Sequence, residues 1–273
     1  MISFLFWNLD NNDLRESVSN LVYLYQPTVI ILAENIIEPG NLLNSINLRN
    51  KISSYTYNYL NESQSAGIDI FPGFSSKYIK PIYEEERISI CKINLIGLDE
   101  LLLISLHLPS KLYKEPEHQR FISDDVNKTI RQIEKEQGHN RTIVIGDFNM
   151  DPFEPGLVNA KGFHAVRSKF VAEKIERTIS NNEYPMFYNP IWKLYGNVEP
   201  DSLGTYYYWD SAPEMFFWNM LDQVIIRPSL LKYYDGNIKI INHDGENSLV
   251  DDDGIPRREN YSDHLPLFFS LNY

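Results

Sequence analysis

The chain has 273 residues, of which 43% are hydrophobic, 23% charged and 13% aromatic, with a single cysteine. That length and composition suit one sizeable globular domain covering residues 1–273 and exclude a disordered or fibrous chain. The formal charge of −12 argues against a protein that clamps nucleic acid with a broad basic surface, but not against a local catalytic site in which a bound cation offsets the carboxylates.

Residues 2–7 (ISFLFW) read as a strand that hands over to Asn8-Leu9-Asp10, a polar-apolar-polar step whose two polar side chains are expected on one face. The start of the chain carries no basic segment followed by a small-residue cleavage site, and no run approaches the ~20 apolar residues of a membrane span. No stable membrane insertion is therefore expected. With Cys91 alone there is no internal disulfide, which fits a reducing, cytoplasmic setting.

Residues 13–25 place Leu14, Val18, Leu21, Val22 and Tyr25 at helical spacing, and Pro27 ends the helix. Residues 28–33 (TVIILA) form a second buried strand that stops at Glu34, a carboxylate that must lie at the rim or on a cation, since burying it alone would cost several kcal/mol, about 2–7 even for an uncharged polar group. Residues 35–86 give little beyond a strand near Gly67–Ile70 and a turn at Pro72-Gly73. Glu84 to Glu86 read as a solvated edge, and Arg87 leads into the strand ISICKINL as a candidate phosphate contact.

Residues 101–106 (LLLISL) are a buried strand delivering His107, with Ser110 and Lys111 following as a hydroxyl and a cation close by. A long polar helix over 116–137 is closed by Gly138. Residues 141–146 (RTIVIG) form a strand running into Asp147-Phe148-Asn149, where alternation turns the carboxylate and the amide to one side and the ring into the core.

Residues 151–219 are irregular and rich in rings, suited either to stacking bases, sugars or lipid, or to a lid with its own small core. Asp222 opens the apolar run LDQVII, and Ser262-Asp263-His264 precedes the last strand. Asp251 to Asp253 lack the glycine and terminal glutamate spacing of a helix-loop-helix calcium site, which leaves a solvated loop.

One such strand-end residue is ordinary turn chemistry; their recurrence along the chain points to a site. The set is Asn8, Asp10, Glu34, His107, Asp147, Asn149, Asp222, Asp263 and His264: hard oxygen donors with two imidazoles and no thiolate. Such donors suit Mg²⁺, Mn²⁺ or Ca²⁺ and not structural zinc, and metal-assisted attack of water on phosphorus accommodates every member.

The blocks WNLD, LAE, SLHLPS, GDFN, LDQVI and SDHLP occur in the order and approximate spacing of the endonuclease/exonuclease/phosphatase superfamily, which the whole chain resembles. The resemblance implies a four-layer α/β sandwich of two packed mixed sheets flanked by helices, as in deoxyribonuclease I. It also implies catalytic roles for His107, Asp147, Asn149, Asp222 and His264, and a Mg²⁺ or Mn²⁺ site at Asn8, Asp10, Glu34 and Asp263. By the same resemblance His264 is general base or phosphate ligand and Asp222 orients it. Asp147 activates water or binds a second metal, Asn149 contacts the scissile phosphate, and His107 steadies the leaving group.

Arg87, Ser110, Lys111 and Thr205 are the candidate substrate contacts, and no carboxylate is evident to orient His107 beyond Glu84 to Glu86. The implied activity is a metal-dependent phosphodiester hydrolase, a nuclease on DNA or RNA. The alternatives are a phosphatase or phosphodiesterase on a phospholipid head group or small nucleotide, and a catalytically silent binding module. No protein partner is implied.

Overall fold

A computed structural model describes residues 1–50, 52–57, 67–111, 116–196, 204–211, 213 and 215–273. Two mixed sheets pack face to face. In chain order their strands are β1 (Ile2–Asn8), β2 (Val29–Ala33), β3 (Ile68–Pro72), β4 (Ile79–Glu85), β5 (Ile88–Ile93), β6 (Leu101–His107), β7 (Thr142–Asp147) and β8 (Ala165–Val166). An exposed ribbon, β9 (Glu176–Ile179) and β10 (Asn182–Pro185), precedes β11 (Phe187–Tyr188). A second ribbon, β12 (Tyr206–Tyr207) and β13 (Trp218–Asn219), precedes β14 (Asp222–Ile226), β15 (Ile238–Ile240) and β16 (Leu267–Leu271). The first sheet runs β15-β16-β1-β2-β3 and the second β4-β5-β6-β7-β14-β11-β8.

The period-two pattern of the strands explains the layers. In β1, Phe4 and Phe6 face inward, where they meet Leu103, Ile143, Ile145 and Val224 of the second sheet in the central core. The alternate residues Leu5 and Trp7 face outward and are covered by Val18, Leu21 and Val22 of α1 (Arg15–Tyr25) and Leu42 and Ile46 of α2 (Pro39–Arg49). On the far side Ile104, Leu106 and Val144 pack under Ile130 and Ile133 of α3 (Pro116–Gln137). The result is the helix–sheet–sheet–helix sandwich expected from the sequence. Two short helices, α4 (Pro155–Val158) and α5 (Lys169–Ala172), lie in the segment that joins β7 to the ribbon β9–β10.

Two departures have local causes. The helix α2 carries glycine, asparagine and serine and buries only Leu42 and Ile46, so it leaves no apolar stripe to read; Pro39 in its first turn and the Glu38 carboxylate, which accepts the Asn41 N–H at 2.9 Å, start it instead. The strand β4 has only Ile79 fully buried and alternates poorly. Residues 58–66 and 197–203, within the two stretches the sequence left irregular, lie outside the described residues. Among the described residues no helix is long and apolar enough to cross a membrane.

Register decides what happens at one end of the sandwich. The parallel pair β6–β7 sets His107 opposite Asp147, and the antiparallel pair β7–β14 sets Asp222 opposite Asp147 on its other side. In the first sheet Asn8 sits opposite Ala33, so Glu34 emerges beside it. Gly146 makes the β6–β7 approach close: at φ +156 a Cβ there would stand 1.9 Å from the Leu106 carbonyl oxygen.

Candidate active site

Side chains from both sheets converge on an open hollow of about 470 Å³. Asn8, Asp10, Glu34, His107, Asp147, Asn149, Asp263 and His264 line it, with Ser110 and Lys111 on the rim. Asn8 joins the sheets: its Nδ2 donates to Glu34 Oε1 and to Asp147 Oδ2, both at 3.3 Å.

Turns, rather than the pleat, bring the paired polar residues together. β1 ends at Asn8 and Asp10 lies beyond it at φ 48, with its N–H donating to Asn8 Oδ1 at 3.1 Å. β7 ends at Asp147, and Asn149 at φ 49 folds back so that its N–H and Nδ2 donate to the two Asp147 oxygens at 2.8 and 3.0 Å. The expected shared face is thus reached through left-handed turn residues that asparagine and aspartate tolerate. Phe148 between them is fully buried, as its place in the pattern requires.

His264 is held on both sides. Its Nδ1 donates to Asp222 Oδ2 at 2.8 Å, its backbone N–H donates to Ser262 Oγ at 2.9 Å, and Ser262 in turn donates to the Asn8 carbonyl at 2.6 Å. Its carbonyl accepts the Trp7 indole N–H at 2.8 Å. Burial alone would push the imidazole toward neutrality, but hydrogen-bonded Asp222, and then Asp147 and Asp263, outweigh it and raise its pKa to about 10. Asp147 moves to about 7, because burial and the Asp222 charge outweigh His264 and the donors from Asn149 and Asn8.

His107 Nε2 lies 3.3 Å from Glu34 and 3.7 Å from Asp147. The carboxylates beside this ring are therefore site residues and not Glu84 to Glu86. Burial, with help from Arg87 and His264, keeps His107 below the usual imidazole range. Asn11, which the sequence did not single out, donates to Glu34 Oε2 at 2.6 Å.

The donor set fits a divalent cation. Asp10 and Asp263 are both pushed above the usual carboxylate range, first by burial and then by neighbouring carboxylates: Glu34 acts on Asp10, and Asp10 and Glu34 act on Asp263. A hard cation among these oxygens would relieve that repulsion. A second group, Asp147, Asp222 and His264, has ligand atoms all within 4.8 Å of one another, and Asp222 Oδ1 is buried without a hydrogen-bond partner. Asn8 turns its amide nitrogen, not its oxygen, toward Glu34 and Asp147.

The four expected substrate contacts separate. Ser110 and Lys111 lie on the wall, with Lys111 paired to Glu154. Arg87 lies across Glu34 and His107 in a neighbouring hollow. Thr205 corrects the expectation: it is fully buried, and its hydroxyl accepts the Asp222 N–H at 3.0 Å, so it braces Asp222 from behind the site and does not face the hollow.

Residues that sequence reasoning treated only as part of a ring-rich segment complete the wall: Tyr206, whose ring centre is 4.8 Å from that of His264, together with Tyr208, Asp210, Asn219 and Leu221. Arg258, seen only in a polar loop, acts to lower both Asp10 and Asp263.

No protein-family model and no curated protein sequence matches the chain. Solved structures do. An endonuclease/exonuclease/phosphatase family protein from Leptotrichia buccalis aligns over 100% of both chains with TM-score 0.56 at 12% identity. The 3' phosphatase NExo from Neisseria, bound to a product DNA hairpin, aligns over 100% of both chains with TM-score 0.56 at 12% identity. TDP2 from D. rerio, complexed with single-strand DNA product, aligns over 100% of this chain and 99% of that one with TM-score 0.53 at 15% identity. The fold is that of these proteins.

Proposed function

We propose that this chain, built on the endonuclease/exonuclease/phosphatase fold, is a divalent-cation-dependent phosphodiester hydrolase that acts as a nuclease on DNA or RNA. The observation that carries the reading is the meeting of the Asp222–His264 pair with Asp147 and Glu34, residues of two sheets, at one open hollow. The likeness to a phosphatase and a TDP2 each bound to a DNA product supports nucleic acid as the substrate.

Asp10, Glu34 and Asp263, with Asn8 beside them, would hold Mg²⁺ or Mn²⁺, which when bound supplies charge neutralisation at a phosphate oxygen. The protein's own groups divide the remaining work. Asp147, held near neutral pKa, takes the proton of the attacking water as its oxygen bonds to phosphorus. His264, cationic at neutral pH, donates Nε2–H to a non-bridging oxygen, and Asp222 fixes its ring. Asn149 holds Asp147 in place, and the neutral His107 steadies the departing oxygen with a ring N–H hydrogen bond as the ester P–O bond breaks, that oxygen taking its proton from solvent.

A phospholipid head group or small nucleotide is the second reading, favoured by the aromatic wall of Tyr206 and Tyr208 and by the overall charge of −12. Against a silent binding module stands the completeness of the set: His107, Asp147, Asn149 and His264 line the hollow, and Asp222 lies directly behind it through His264. Hydrolysis of bis-p-nitrophenyl phosphate with Mg²⁺, stopped by EDTA and lost in folded His264→Ala and Glu34→Ala proteins, is the expected result. A Mg²⁺-independent or absent activity in the wild type overturns it. Plasmid, single-stranded DNA and RNA, set against inositol phosphates and sphingomyelin, then decide the substrate.

A further inference from the structure

The ribbon β12–β13 pairs Tyr206 with Asn219 and Tyr207 with Trp218 beside the hollow. Just beyond that pairing the chain holds four rings in water. Trp209 is 67% exposed and Phe216 68%, and Tyr208 and Phe217 are each more than a third exposed.

The backbone is strained where two of these rings leave it. Phe217 has φ 63, a conformation that bulky side chains avoid, and around it the Trp218 N–H closes on the Phe216 carbonyl at 2.8 Å. A tight, strained turn that leaves both its rings exposed gives the fold nothing in packing, and such strain gathers where ligands are held. The rings are also backed. Phe216 meets Phe153 at 5.6 Å, Phe153 meets Tyr195 edge-on at 5.9 Å, and Phe217 stacks on Tyr207 at 6.4 Å. Rings held from one side and open to water are preorganised for a flat partner.

Tyr206, Tyr208, Asp210 and Asn219 of the same stretch line the hollow, so whatever covers the exposed rings is continuous with the molecule held at the catalytic groups. Charge narrows what it is. No lysine or arginine occurs between Lys193 and Arg227, and Asp210 lies among the rings. An anionic lipid surface needs cations beside the inserted side chains, and a clamp on successive phosphates needs them too. Lys111 is paired to Glu154, and Arg258 acts on Asp10 and Asp263. Bases need no cation, since stacking asks only for a flat face and tolerates any sequence. In a duplex those faces are already covered by neighbouring bases.

We propose that Tyr208, Trp209, Phe216 and Phe217 form a stacking platform for unpaired bases next to the scissile phosphate, and that this platform selects single strands over duplex. The proposal rests on the nuclease reading above and names the form of nucleic acid that the hollow takes.

Binding is read without turnover, as the anisotropy of labelled phosphorothioate DNA in Mg²⁺, an oligothymidylate against a hairpin duplex of the same length. The single strand should bind at least about tenfold tighter, and its Kd should change less than about threefold between about 50 and 200 mM salt, as for no more than one neutralised phosphate. Trp209→Leu and Phe216→Leu, apolar but without a ring, should each weaken the single strand about fivefold or more and leave the duplex as it was, while Trp209→Phe keeps most of the affinity. Equal affinity for strand and duplex overturns the proposal, as do leucine variants that bind the strand like wild type or a salt loss beyond about tenfold. Leucine variants that release phosphatidylglycerol vesicles with strand binding unchanged assign the rings to lipid and overturn it as well. Bis-p-nitrophenyl phosphate separates the two readings. Its hydrolysis without strand preference keeps the hydrolase and removes the platform; strand preference without hydrolysis keeps the platform and removes the hydrolase.

Discussion

Asp222 and His264 are 42 residues apart in the chain and joined by a 2.8 Å hydrogen bond, with the Asp222 side chain fully buried. The bond ties the first residue of β14 to the loop that enters β16, so the imidazole is fixed by both sheets. Replacing Asp222 with Asn keeps the shape but removes the charge that holds the ring cationic. We expect kcat to fall by about 10²–10⁴-fold, as for loss of a positioned acid or base or of its orienting group. The alkaline limb of the rate profile should also move to lower pH, because His264 loses the main interaction that raises its pKa.

Metal binding should be visible without turnover. A ligand that binds only the folded protein at 100 times its Kd stabilises by about 2.7 kcal/mol, so saturating Mg²⁺ should raise the wild-type Tm by several degrees and that of Glu34→Gln by much less. In EDTA the Asp263→Asn protein should melt at or above the wild type. The pKa of Asp263 is raised in the fold, so its ionised form opposes folding at neutral pH. Calorimetry in EDTA and in Mg²⁺ reads both, and a lower Tm for Asp263→Asn in EDTA would contradict the cation-site assignment.

Gly146→Ala tests the register that builds the site. The added methyl would stand 1.9 Å from the Leu106 carbonyl oxygen, a backbone atom that cannot swing away. A cost of at least about 2 kcal/mol is expected from the forced shift of β6 against β7. Because His107 and Asp147 are paired across that step, activity should fall together with stability in chemical denaturation and kinetic assays.

Acid sensitivity has a separate origin, remote from the hollow. Burial opposes ionisation of Asp244, but N–H donors from Asn247 and Glu246 and the side chains of Ser17 and Asn20 outweigh it and hold the carboxyl below its usual range. A depressed pKa contributes stability above the unfolded value of about 3.9 and loses it as pH falls through the folded value. Asp244→Asn should therefore lower Tm at pH 7, and its deficit relative to wild type should shrink as the pH is taken below about 4.

Strand ends were legible because apolar runs interrupted by a single polar residue leave a clear mark: His107, Asp147 and Asp222 follow or open such runs and do lie side by side. The helix α2 was not, since two buried residues make no stripe. Thr205 shows the limit of short motifs, for a hydroxyl at the right place in the chain is turned to the Asp222 N–H behind the site. The acidic wall of the neighbouring hollow, Glu38, Asp69 and Glu86, was also invisible, because a helix cap, a strand residue and a hairpin turn share a surface only after the sheets have stacked.

Asp10, Asn11, Glu34 and Asn149 have φ of 48°, 55°, 49° and 49°, a conformation that side-chain-bearing residues avoid, and all four belong to the turns around the hollow. Aspartate and asparagine tolerate it, so among the four it is Glu34 that carries of order 1–3 kcal/mol of backbone strain. Selection of this protein for heat resistance alone would consequently reward glycine at position 34 and remove a carboxylate of the hollow with it.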